Sequence, residues 1–191
     1  MALPAEKERY TFADILSWDE DVRVELIEGL PYLMAPPLRI HQEILMEISN
    51  QIKNYLNGKN CRVYPAPFGV RLFSQEGDTP DQEEDLLEPD ITVVCDRDKL
   101  DQYGCKGAPD MIVEILSPSS LRRDRIEKYN LYEKAGVREY WIVDPDRKLI
   151  QAMVLEDGQY HAPQVYTAAE QAPVTVLEGC VVDLTKVFEG L

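Results

Sequence analysis

Apolar positions Ile40, Ile44, Leu45, Ile48, Ile52 and Tyr55 recur at helical spacing, which predicts one long amphipathic helix over about 38–56, closed by Gly58. Elsewhere the pattern shortens. "DITVVC", "DMIVEIL" and "EYWIVD" are compact runs rich in β-branched and aromatic residues, the signature of buried strands. A second helix is expected from about Ser120 to Ala135, stopped by Gly136. "VRVELIEGLPYLMAPP" alternates around Gly29 and Pro31 and reads as a bent strand or hairpin. "CRVYPAPFGVRLF" is strand material broken by prolines. "LIQAMVLEDGQYHA" predicts a hairpin turning at Asp157-Gly158. "VTVLEGCVVD" reads as a late strand and "LTKVFEG" as a terminal helical turn. Near the start, Thr11 stands three residues before Asp14, a capping signal for a short helix. No repeat or linker divides the chain. The expected architecture is one α/β (α+β) domain over residues 1–191, with a core of about 11–188 and a central mixed sheet flanked by helices.

Composition narrows the function classes. The net charge of −15 argues against a protein that coats nucleic acid or lies on a membrane surface, since both reward basic patches. The charge is uneven: residues 76–90 hold eight acids and no base, and a mobile acidic loop is the simplest reading of that run. The four cysteines form no C-x-x-C pair, so zinc is not indicated. The first ten residues lack an apolar export core, and no run is long enough to span a membrane. A cytoplasmic protein with reduced thiols is therefore expected.

The informative anomaly is Glu114, a carboxylate in the middle of "MIVEIL". A metal site would explain it if a second acid lies close. Asp110 is on the same strand, but four residues at about 3.3 Å each put it roughly 13 Å away. Asp90 opens the preceding strand, and paired strands lie about 4.8 Å apart, so Asp90 and Glu114 can share an ion. Lys128 falls on the apolar side of the following helix with Leu131, Tyr132 and Ala135. A lysine there needs a carboxylate partner. Two carboxylates holding Mg²⁺, with an ammonium beside them, suit phosphodiester hydrolysis. A glutamate in an apolar strand can equally be a paired core residue, and Tyr132 reads as packing.

"PDITVV", followed by "PDMIVEILSPSS" and "DRIEKYNLYEKAGVREYWIVDP", resembles the Uma-two family of restriction-endonuclease candidates in the PD-(D/E)XK nuclease superfamily. The resemblance also covers "VELIEG" and His41, and spans about Thr11 to Phe188. It implies a restriction-endonuclease-like core with metal ligands on two neighbouring strands. Asp90 would match the first acid and Glu114 the second. The superfamily lysine two residues later is absent, because that position is Leu116. The resemblance puts the lysine on the helix, as Lys128. Glu28 and His41 are further candidates for the cleft, and Arg122, Arg123 and Arg125 for phosphate contacts at its rim.

The expectation is thus a Mg²⁺- or Mn²⁺-dependent endonuclease acting on nucleic acid, DNA in the first instance. Asp90, Glu114 and Lys128 are its catalytic residues, and the two acids its metal ligands. A homodimer is expected, because two-strand cutting is commonly done by paired sites. The competing reading is a catalytically silent nuclease fold used for binding or assembly; a sugar hydrolase built on a carboxylate pair is weaker.

Overall fold

The strand and helix patterns resolve into a mixed sheet with helices on both faces. The computed structural model describes residues 7–19, 22–118 and 121–191. In chain order come α1 (Phe12–Ile15), β1 (Val24–Ile27), β2 (Leu30–Leu33), α2 (Arg39–Tyr55), β3 (Arg62–Pro65), β4 (Gly69–Arg71), β5 (Ile91–Val94), β6 (Leu100–Asp101), β7 (Gly104–Lys106) and β8 (Met111–Ile115). A π-helical stretch, Arg123–Lys128, then runs directly into α3 (Tyr129–Ala135). The chain ends with β9 (Glu139–Asp144), β10 (Leu149–Glu156), β11 (Gln159–Tyr160), β12 (Gln164–Thr167), β13 (Gln171–Pro173), β14 (Val181–Asp183) and α4 (Leu184–Val187).

Among the described residues the central sheet has seven strands in the order β11-β10-β9-β8-β5-β3, with β12 also on β10. β8 and β9 are parallel, and the other pairs are antiparallel. The parallel step requires a crossover, which is the 121–135 helix. The expected mixed α+β architecture is present. Side-chain alternation divides the core into two layers. Met111, Val113, Ile115, Trp141 and Val143 pack against Ile44, Ile48 and Ile52 of α2. Ile112, Leu116, Tyr140 and Ile142 pack on the other face against Leu131 and Tyr132 of α3.

Most predicted elements appear where expected. Thr11 and Asp14 form a capping box on α1, and Asp157-Gly158 takes left-handed backbone at the β10–β11 turn. Three expectations change, and a fourth cannot be placed. The late strand over 174–183 is reduced to β14, which pairs with β13. Ser120, the expected helix start, lies outside the described residues. The acidic run, expected as a mobile loop, is anchored to the fold. Leu86 and Leu87 bridge to Leu26 and Val70, and buried Glu83 lies 3.5 Å from Arg71. Cys61 and Cys95, flanking the β3–β5 register, are joined as a disulfide, which corrects the expectation of reduced thiols.

β4 and β7 approach so closely that a side chain on Gly104 would put its Cβ 2.0 Å from the Gly69 carbonyl oxygen, at a φ of +132°. Gly104→Ala should lower unfolding free energy by about 3 kcal/mol, and Gly158→Ala, which meets nothing within 4 Å, by about 1 kcal/mol in denaturant melts. Equal losses would show that the strand contact imposes no extra demand. Burial pushes the Cys105 and Cys180 thiols up to about 11. Both should resist alkylation in the native protein at pH 8. Mass spectrometry should find two adducts after denaturation, on the free cysteines 105 and 180, and four only after reduction.

Candidate active site

Glu114 is the one charged residue of β8, and it points to the α3 face, where an apolar side chain would otherwise stand. It is 3 % exposed. The crossover helix answers it. The π winding of 123–128 buries Asp124 and Lys128 together, one helical turn before Leu131 and Tyr132. Lys128 donates from Nζ to Glu114 Oε1 and to Glu25 Oε1, each at 2.8 Å. Asp124 Oδ1 lies 3.7 Å from the same ammonium. The Tyr132 hydroxyl donates to Glu114 Oε1 at 2.7 Å.

Asp90 arrives from the adjoining strand. Ile91 pairs with Val113, so the next step of the register puts Asp90 beside Glu114. Its Oδ2 accepts from the Ile115 amide at 2.7 Å and lies 3.0 Å from His41 Nε2. A carboxylate can only accept here, which assigns the donating proton of His41 to Nε2. Asp90 Oδ1 and Glu114 Oε2 take no hydrogen bond among the described residues. Each acid therefore has one oxygen tied down and one left open.

The electrostatics are lopsided. Three carboxylates, Glu25, Glu114 and Asp124, surround one buried ammonium, Asp90 adds a fourth that acts on Glu114 from the adjoining strand, and Arg123 only approaches Glu25 at 4.0 Å. Burial pushes the Glu114 carboxyl well above its usual range; Lys128 opposes this, while Asp124, Asp90 and Glu25 add to it. Burial alone would depress Lys128, but Glu114, Glu25 and Asp124 outweigh it and keep the ammonium charged. The Tyr132 hydroxyl is held protonated, chiefly by burial and then by Glu114.

Asp90, Glu114, Lys128 and His41 thus converge, and Glu28 does not join them. It sits at the β1–β2 turn with φ of 50°, its amide donating to Asp85. The acid that β1 contributes is Glu25, which the sequence reading passed over. Its signal was the one that singled out Glu114, an acid within a buried run. Tyr132, read as packing, also bonds to the site. Of the rim arginines, Arg125 pairs with Asp144 at 3.1 Å, Arg123 lies 4.3 Å over the Tyr32 ring, and Arg122 is exposed.

No group of three or more His, Cys, Asp or Glu side chains gathers in metal-holding geometry among the described residues. Mg²⁺ does not need one. It uses one or two carboxylates and completes its octahedron with water and substrate phosphate. Two open carboxylate oxygens on neighbouring strands fit that ion, and they do not fit the tetrahedral nitrogen and sulfur set of zinc.

The mixed sheet with its crossover helix has a nuclease-type fold. A solved chain described as "a putative nuclease belonging to DUF820 from Anabaena variabilis" has the same fold: TM-score 0.71, 21 % identity, covering 93 % of this chain and 97 % of that one. Residues 12–185 match the Uma2 family, described as "Putative restriction endonuclease", and the chain belongs to that family. An uncharacterized protein of Synechocystis sp. is 27 % identical over 150 residues, covering 78 % of this chain and 72 % of that protein.

Removing one member of a buried ion pair strands the others. Lys128→Ala should cost about 3–5 kcal/mol in metal-free buffer. Glu114→Gln keeps an acceptor for Tyr132 and relieves repulsion, so it should change stability by less than about 1 kcal/mol. Urea melts with chelator present would refute this charge balance if Glu114→Gln were the more damaging change.

Proposed function

We propose that this protein is a Mg²⁺-dependent nuclease that hydrolyses phosphodiester bonds in DNA. The carrying observation is the pair of open oxygens, Asp90 Oδ1 and Glu114 Oε2, on neighbouring strands with a charged lysine 2.8 Å from Glu114. Asp90 and Glu114 would hold the ion, which supplies Lewis-acid polarisation of a phosphoryl oxygen and an activated water. The remaining work falls to the protein. The Ile115 amide and His41 fix the orientation of Asp90, and Tyr132 fixes that of Glu114. Lys128 presents a desolvated positive charge where negative charge grows on the phosphoryl group as water attacks phosphorus and the P–O bond to the leaving oxygen breaks. Its delivery from the helix serves the role that Leu116, two residues past Glu114, cannot.

Paired sites in a homodimer would allow two-strand cutting. Among the described residues no helix is long and apolar enough to cross a membrane.

The second reading, a silent binding module, draws on the depth of the site, with Lys128 only 4 % exposed and held by two acids. Single- and double-stranded DNA incubated with Mg²⁺ or Mn²⁺ separates the two. On the nuclease reading the wild type cleaves, and Asp90→Asn, Glu114→Gln and Lys128→Met each lose at least about 10²–10³-fold in rate. Calorimetry should show Mn²⁺ binding lost in the Asp90 and Glu114 variants. A wild type that binds DNA and cuts it with neither metal is the module.

A further inference from the structure

The seam between β1 and the crossover helix continues beyond the Glu25–Lys128 pair. Ile27 stands on the same face of β1 two residues further on, and Leu131 follows Lys128 by one helical turn. With Leu30 they form the apolar wall of a cavity of about 330 Å³. Tyr32, the register partner of Glu25, is the lining residue beside the site, and Glu28, Glu127 and Asn130 supply polar groups. Lys134, also on the lining, is drawn over the Phe73 ring at 5.1 Å.

Building on the nuclease reading, we propose that this cavity receives an unpaired nucleobase bearing an exocyclic amine, about one nucleotide step from the phosphate under attack. Three observations point to that occupant. The walls are apolar and the volume lies at the scale of a small-ligand pocket, which suits a flat heteroaromatic ring. The charges are segregated in the sense a nucleotide requires. Glu28, exposed at the mouth, and Glu127 line the cavity and would repel phosphate and accept hydrogen bonds from an amine, while Arg123, over the Tyr32 ring at 4.3 Å, and exposed Arg122 stand on the helix beside it. The cavity is also continuous with the catalytic seam, because Glu25 and Ile27 share a strand face. A base within a duplex cannot enter without leaving its stack, so the cavity favours single-stranded or unpaired DNA. Cytosine, adenine and guanine offer the amine; thymine does not.

The test is fluorescence anisotropy of labelled dC12 and dT12 with the full chain in metal-free, low-salt buffer. The inference expects dC12 to bind about tenfold or more tighter than dT12. Glu28→Ala/Glu127→Ala should erase that difference, and Asn130→Trp, which fills the cavity from an exposed position, should weaken dC12 binding. Thermal melts verify that both variants fold. Equal affinity for the two strands, or a preference that survives the double substitution, overturns the cavity assignment while leaving the nuclease reading intact. An oligoarginine peptide that outcompetes dC12 in the wild type alone would give the carboxylates to a basic peptide and also overturn it. Absence of binding to every strand, together with no cleavage in Mg²⁺ or Mn²⁺, removes the nuclease reading and the cavity assignment together.

Discussion

One ammonium group, buried among acids that reach it from three separate segments, constrains most of this structure. Lys128 gives up its hydration and recovers it through Glu25 from β1 and Glu114 from β8, with Asp124 of its own helix nearby. Any slide of the hairpin, the sheet or the helix would leave a charge in apolar surroundings. The link extends to Asp90 by a second route. Glu25 Oε1 also accepts from the Glu88 amide, two residues before Asp90, and Asp90 is then caught by the amide of Ile115, the residue after Glu114. Backbone and side chain thus lock the three site residues into one register, although they lie far apart in the chain.

The core supplies the stiffness that such a lock needs. β8 is central in the sheet, buried along its whole length, and bonded to β5 on one side and β9 on the other. Its outward alternation hands Met111, Val113 and Ile115 to the α2 layer, leaving the other face for Glu114. A carboxylate on a paired, central strand moves little, which on the nuclease reading suits a site whose geometry must hold to a fraction of an ångström.

Much of this was legible in the residues because it followed from local pattern. The α2 stripe, the β-branched runs and the Asp157-Gly158 turn each declare themselves within a few positions. Strand spacing alone chose Asp90 over Asp110 as the neighbour of Glu114, and Asp110 indeed serves the β5–β8 connection, accepting from the Cys95 amide and pairing with Arg138. What stayed hidden was non-local. Glu25 and Glu28 are equally acidic and three residues apart, and only the hairpin's placement against the helix decides which meets Lys128. The π winding that buries Asp124 with Lys128 has no marker in "RDRIEK". The pairing of Cys61 with Cys95 depends on the β3–β5 register, which spacing within either strand does not reveal.

The net charge of −15 looks unfavourable for a protein that would meet nucleic acid, yet charge at a distance counts less than charge at the cleft. Several acids are already answered locally: Glu83 and Asp101 by Arg71, and Asp144 by Arg125 and Arg147. The site itself is different. Its four carboxylates exceed its one ammonium, and burial first, then that excess, raises the Glu114 carboxyl. Left so, it repels phosphate. A divalent cation on the two open oxygens would offset most of that excess and give phosphate a positive centre to bind directly. On the nuclease reading the metal therefore draws the scissile phosphate into the site as well as serving the chemistry, while a base can enter the neighbouring cavity without it.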